Sequence, residues 1–188
     1  IGNISTLDEV IRREFRVAEG DADSTSKLRR SEQRLRNLGY FESVSVKTEP
    51  GTTEDKVVIL VEVQEQSTGE VSLGAGFCTV DGPLADVGIR ERNLLGRGQE
   101  LRLRLLAAAE RQQFDIGFTE PYLFNRELLG GIDLYDVTQD FRQESSFDRE
   151  ATGGRLRLGY SLSERLTHQI YYSYEQNEIT DVSADASR

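Results

Sequence analysis

Cysteine and histidine, the side chains that most often do covalent or metal chemistry, each occur once, as Cys78 and His168. Cys78 lies in GAGFCT, with no neighbouring Cys or His to form a disulfide or a metal site. It reads as a small apolar strand residue. His168, in THQIYYSY, has no candidate nucleophile beside it and reads as a strand or turn residue. GAGFCT and GRGQEL both fail the dinucleotide fingerprint, and no P-loop occurs. The sequence therefore points away from an enzyme, and no cofactor or metal is expected. The spacing that does carry information is that of the arginines. Arg102 and Arg104 alternate with Leu101, Leu103 and Leu105; Arg155 and Arg157 alternate with Leu156 and Leu158. The chemistry in question is solvation.

In a strand, such alternation puts every leucine on one face and every arginine on the other. Phe114, Ile116 and Phe118 repeat the pattern against Asp115, Gly117 and Thr119. Two arrangements satisfy it. The apolar face packs on a protein core while the arginines meet water, as in a soluble antiparallel sheet. Or the apolar face meets lipid and the arginines line a wet lumen, as in an outer-membrane barrel.

The elements that must position these residues fall into two regions. From Ser5 to about Tyr40 the period is helical. Ser5 or Thr6 is the expected cap, with Asp8 and Glu9 in the first turn. Leu7, Val10, Ile11, Glu14 and Phe15 share one side, and Gly20 is the expected stop. A second helix follows with Leu28, Leu35 and Leu38 inward and Arg29, Arg30, Arg34 and Arg36 outward, ended by Gly39. The period then becomes two. FESVSVKTE buries chiefly its valines, and KVVILVEVQEQ forms a longer strand. Two strands alone are weak, so a third strand ending in Ile1-Gly2-Asn3 is expected to complete the sheet. Because the chain starts at Ile1 and contains no Met, a longer reading frame is expected.

From Thr68 onward helix signals vanish and alternation recurs in about seven segments, each about 9–11 residues, the length of a tilted membrane-crossing strand. NLLGRG, EPYLFNRE and SERL form one set of connections. TVDGPL, AAERQQ, DFRQESSFDRE and ITDVSADASR form the other, which includes the longer, polar ones. Short turns on one side and longer loops on the other are the barrel pattern. Tyr122 and Phe124 gather at one side and Tyr135 and Phe141 toward the other, which suits aromatic girdles. A soluble sheet would need a second layer, and the helices are already spent on the first region. The balance of 33 acidic against 23 basic residues, net −10, argues against a nucleic-acid binder. No signal peptide or long apolar helix occurs in the sequence.

Several stretches then match one family in order. GNISTLDEVIRREFRVAEGD, RLRNLGYFESVSV, VEVQEQSTGEVSLGAGF, RERNLLGRGQEL and FTEPYLF together resemble the BamA-type outer-membrane assembly factors. The resemblance covers nearly the whole chain and implies an α+β POTRA domain, two helices on a small sheet, followed by antiparallel strands of a truncated transmembrane β-barrel. The implied division is 1–67 for the last POTRA domain, lacking most of its first strand, and 68–188 for the first strands of the barrel. The implied location is the bacterial outer membrane with the POTRA domain in the periplasm.

The implied function is non-enzymatic: folding and inserting nascent outer-membrane proteins by strand templating. A seam strand would carry Gly69, Val71, Leu73, Gly74, Gly76 and Phe77. Leu101, Leu103, Leu105, Phe114, Ile116, Phe118, Leu156 and Leu158 would face lipid, and Arg102, Arg104, Arg155 and Arg157 the lumen. Arg12, Arg16 and Glu19 match the position at which the family docks accessory periplasmic lipoproteins. Alternative readings are a two-partner secretion or TamA-like translocating barrel, a passive porin and a soluble adhesion domain.

Overall fold

The computed structural model describes residues 1–15, 25–51, 57–140, 148–163 and 166–180. Among the described residues two α-helices precede nine strands, and the chain divides into two units. The first comprises Ile1–Thr68 together with the short segment Arg92–Gly98; the second comprises Gly69–Glu91 and Gln99–Arg188.

In the first unit, α1 (Asp8–Arg12) and α2 (Thr25–Leu38) accompany strands β1 (Phe41–Pro50) and β2 (Val57–Glu65). Val10, Ile11, Leu35, Tyr40, Phe41, Val44 and Val63 form the core, and Phe15, Leu38, Val46 and Val61 pack against it. Leu35 and Val10 are fully enclosed, each burial contributing about 1.5–3 kcal/mol. Helix α2 ends where expected: Gly39 takes a left-handed φ of 70°, which a residue without Cβ adopts at little cost. Helix α1 is shorter than its pattern predicts. Leu7 occupies the cap position with no side-chain cap bond, because the backbone at Ser5 and Thr6 is held by the Glu65 carboxylate instead. Gly20, the expected stop, lies outside the described residues.

Strands β1 and β2 pair antiparallel, with Val44 opposite Val63 and Val46 opposite Val61. Simple alternation put Phe41 away from the valines, but it is buried at 5 % exposure. A register shift between Phe41 and Ser43 accounts for this: one extra residue reverses which face the next side chain occupies. The expected third strand has its counterpart at Ile1. Its amino group donates to Val61 O at 2.7 Å and its carbonyl accepts from Val63 N at 2.9 Å, the slanted pattern of a parallel ladder.

The second unit is one antiparallel sheet in sequence order: β3 (Gly69–Cys78), β4 (Gly82–Leu94), β5 (Gln99–Ala108), β6 (Arg111–Glu120), β7 (Leu128–Asp140), β8 (Asp148–Ser163) and β9 (Leu166–Thr180). The last residues of β4 belong to the first unit. Strands β7 to β9, of 13, 16 and 15 residues, exceed the length set by alternation alone. Past Leu134 the face that carries Ile132 and Leu134 turns polar (Asp136, Thr138 and Asp140 against Thr152, Glu150 and Asp148), so the alternation of apolar with polar residues fades there. None of the helices among the described residues is long and apolar enough to cross a membrane, which says nothing about strands.

Candidate functional site

Cross-strand register assembles the alternating residues into two faces. On the apolar face, Leu101, Leu103 and Leu105 stand opposite Phe118, Ile116 and Phe114. Ile116 and Phe118 continue to Leu134 and Ile132 on β7, and Ile132 to Leu156 on β8. Leu156 and Leu158 meet Tyr172 and Ile170 on β9. On β3, Val71 and Leu73 pair with Ile89 and Val87. This face is uncovered: Leu73 is 78 %, Phe77 76 %, Leu105 52 % and Leu156 52 % exposed. A contiguous apolar surface of this kind requires an apolar partner.

The opposite face is charged and built around glycines. Arg102 on β5 reaches across Gly117 on β6 to Asp133 on β7, with Nη2 3.2 Å from Oδ1. From the other side, Arg157 on β8 reaches across Gly131 on β7. Its Nη2 donates to Asp133 Oδ1 at 3.1 Å and to Thr119 Oγ1 on β6 at 2.9 Å. Arg157 Nε lies 2.7 Å from Asp133 Oδ2 as an ion pair, without a well-directed hydrogen bond. Tyr135 lies over Gly153 and donates to Glu175 on β9 at 2.7 Å. A Cβ on Gly131 would sit 2.9 Å from Arg157 Cζ, and one on Gly117 2.8 Å from Asp133 Oδ1. Each long side chain thus spans a strand because the intervening residue has no side chain. Tyr135, grouped with girdle aromatics from its sequence position, belongs to this polar face. Arg104 stands opposite Asp115, 3.9 Å from Asp86, and Arg155 opposite Asp133.

Strand β3 is an edge of this sheet. Its polar face is thin: the pairs are Ser72 with Gly88, Gly74 with Asp86 and Gly76 with Leu84. Gly69, at the start of the strand, pairs with Glu91. One side of its backbone is bonded to β4, and the other is an unpaired row of N–H and C=O groups among the described residues.

In the first unit, a chain of polar contacts holds the segment before α1. The Glu65 carboxylate accepts from Ile4, Ser5 and Thr6 backbone N–H at 3.1, 2.9 and 2.6 Å. Thr6 Oγ1 accepts from Asn93 Nδ2 at 2.9 Å, and Asn93 Oδ1 accepts from Gly98 N–H at 2.8 Å. Thr6 and Asn93 are both buried. Partial burial works against ionisation of Glu65, but the hydrogen bonds from Thr6, Ser5 and Ile4 outweigh it and lower the carboxyl to about 2. Glu14, 4 % exposed, pairs with Arg34 Nε at 2.9 Å. Arg34, expected on the solvated face of α2, instead satisfies this buried carboxylate. Arg12 is exposed at the end of α1. Arg16 and Glu19, its companions in the expected docking set, lie outside the described residues, as does Phe141.

Two family models match separate stretches of the chain. Residues 1–66 match the POTRA model, described as a surface antigen variable number repeat, and residues 93–188 match the Omp85 superfamily domain. The outer membrane protein assembly factor BamA of Nitratidesulfovibrio vulgaris is 33 % identical over 187 residues, which is 100 % of this chain and 23 % of that protein. BamA of Neisseria meningitidis serogroup B is 33 % identical over 168 residues, 87 % of this chain and 21 % of that protein. The chain therefore spans less than a quarter of these relatives' length. The crystal structure of BamA from Haemophilus ducreyi lacking POTRA domains 1–3 superposes with a TM-score of 0.82 at 26 % identity. That match covers 96 % of this chain and 35 % of that one.

Proposed function

The chain belongs to the Omp85 superfamily, and on that premise we propose that it is the periplasmic-repeat and first-barrel-strand segment of an outer-membrane protein assembly factor. The repeat takes residues 1–67 and lies in the periplasm; the barrel begins at residue 68 and lies in the outer membrane. The observation that carries this reading is the edge strand β3, glycine-bearing at Gly69, Gly74 and Gly76, leading a sheet with one apolar and one charged face.

No covalent step is involved. A client strand entering hydrocarbon needs its backbone groups paired, since each unpaired group costs several kcal/mol there. The free N–H and C=O row of β3 supplies partners by strand addition. Val71, Leu73 and Phe77 then lie toward lipid, continuous with Leu101, Leu103, Leu105, Phe114, Ile116, Phe118, Leu156 and Leu158. Arg102, Arg104, Arg155 and Arg157 face the aqueous lumen, where their charge is solvated. Gly74 and Gly76 present little side chain to the lumen side, so the strand is weakly held and readily parted. The partners are nascent barrel proteins, outer-membrane lipid and, through the exposed Arg12 together with Arg16 and Glu19, accessory periplasmic lipoproteins.

A seam lock tests the mechanism. In the intact protein, Cys78 is replaced by serine, and a cysteine at Gly76 is paired with one on the closing strand of the barrel. Oxidation is expected to abolish client insertion while the barrel stays folded by electrophoretic mobility, and reductant is expected to restore it. Undiminished insertion by the oxidised protein would sink the templating role of β3.

A further inference from the structure

Strand addition needs an edge whose backbone N–H and C=O groups are open, and the first unit presents such an edge of its own. In β2, Val61 O and Val63 N bond to Ile1. Successive strand residues turn their backbone groups to opposite sides. Glu62 and Gln64 therefore turn theirs toward β1, where they stand opposite Ser45 and Ser43. Val44 and Val46, opposite Val63 and Val61, turn theirs away from β2, and Thr48 and Pro50 fall in the same row. That row is a free edge, because β2 is the one strand paired with β1 among the described residues.

Two features blunt this edge. At one end the Arg36 guanidinium, from the last turn of α2, donates through Nη2 to Val44 O. Glu32, one helical turn back, holds the same guanidinium: Nη2 and Nε lie 2.7 and 3.2 Å from its Oε1. An N–H that an incoming strand would bring to Val44 O meets an acceptor already taken, by a charge-assisted bond stronger than the amide bond that would replace it. At the other end Pro50 has no N–H to offer. Between the two, Val46 and Thr48 present both donor and acceptor. Strand β3 is built the other way. Its 10 residues include no proline, and Gly69, Gly74 and Gly76 carry no side chain to fold over its backbone row.

We propose that Arg36 closes the β1 edge of the first unit to strand addition, so that an extended client strand is directed to the unguarded edge at β3. Arg36 is a specificity-determining residue, and Glu32 positions it on Val44 O. The inference rests on strand addition as the mode of client binding and deepens it by assigning which backbone row is open and what shuts the other.

A peptide of defined sequence reads both edges. RQQFDIGFTE, the sequence of β6, is amphipathic when extended and serves as the client strand. In the intact protein, reconstituted in phosphatidylethanolamine–phosphatidylglycerol vesicles, the photoreactive residue p-benzoylphenylalanine replaces Ser45 on β1 or, separately, Leu73 on β3. Covalent capture of the labelled peptide is then measured at each position. The parent is expected to capture it at 73 and hardly at 45. Arg36→Ala should raise capture at 45 several-fold and leave capture at 73 unchanged. Adding Pro50→Ala to Arg36→Ala should raise capture at 45 further, since a donor returns to the row. Capture at 45 that is as strong in the parent as in Arg36→Ala would overturn the guard, and so would its absence at 45 in the variant. Capture at 45 in the variant with none at 73 in the parent would uphold the guard and sink templating at β3. Should Arg36→Ala loosen α2, as read by hydrogen exchange of the helix amides, Glu32→Gln gives the second measurement. The guanidinium is then no longer held on Val44 O, capture at 45 should still rise, and an unchanged level would count against the guard.

Discussion

Glu65 is a single side chain that replaces a helix cap. By accepting three successive backbone N–H groups it satisfies donors that would otherwise be left open before α1. Its folded-state value of about 2 lies below the ordinary 4.5. A depressed carboxyl stabilises the fold above the unfolded value, and that contribution is lost as pH falls through 4.5 toward 2. Glu65→Gln should therefore cost about 1 kcal/mol at pH 7, near the low end for bonds to a charged acceptor because the group is partly solvated. The difference between variant and parent should shrink on going from pH 7 to pH 3, as read by denaturant unfolding of the first unit. A difference that does not change with pH would mean that ionisation of Glu65 is irrelevant. None of this was legible in the chain alone, where Glu65 and Ser5 are 60 residues apart and Thr6 and Asn93 are 87 apart. Contacts of that separation leave no periodic trace. The buried Glu14 was legible as a position on the apolar side of α1, but its partner Arg34 was not.

Strands and helices were legible wherever one period held without interruption. Alternation located the β5, β6 and β8 leucine, phenylalanine and arginine positions because successive strand residues fall on opposite faces, so a sheet with one apolar and one charged face repeats every two residues. It misplaced Phe41, where a bulge resets the count, and it stopped short in β7 to β9, where the apolar face turns polar. It also could not show why glycines recur opposite arginine and tyrosine, since that depends on register. The structure supplies the reason: Arg102 over Gly117 ties β5 to β7 through Asp133, and Arg157 over Gly131 ties β8 to Asp133 on β7 and to Thr119 on β6. Gly131→Ala would displace the Arg157 guanidinium and is expected to destabilise the barrel by about 1–2 kcal/mol, the usual cost of overfilling a fitted contact. In an Arg157→Ala background the same change should cost much less, because the clash has gone. A double-mutant cycle by urea unfolding in vesicles measures this coupling. Additive effects would show that the arginine and the glycine are independent.

At the scale of the whole molecule, the second unit has two edges, β3 and β9, and an apolar face that no layer of the described residues covers. In water that face is a liability; in hydrocarbon the edges are, because unpaired backbone groups cost several kcal/mol each. A seven-stranded sheet satisfies neither solvent while its edges remain open. The relatives that match this chain are more than four times its length, since it spans 23 % of one and 21 % of the other. Closing such a sheet needs a partner for each of its edges, β3 and β9. The first unit differs, because its helices and small sheet enclose a core around Leu35, Val10 and Val44. Expressed as these 188 residues alone and offered to lipid vesicles, the chain should fail to give a heat-modifiable, protease-protected barrel. Limited proteolysis should leave a fragment of the first unit and digest the strands from β3 onward. In the intact protein the same strands should be protected once the sheet closes. Protection of β3 to β9 in the isolated chain, as a monomer in vesicles, would mean that its two edges find partners without any further strand, and templating at β3 would then lose its physical basis.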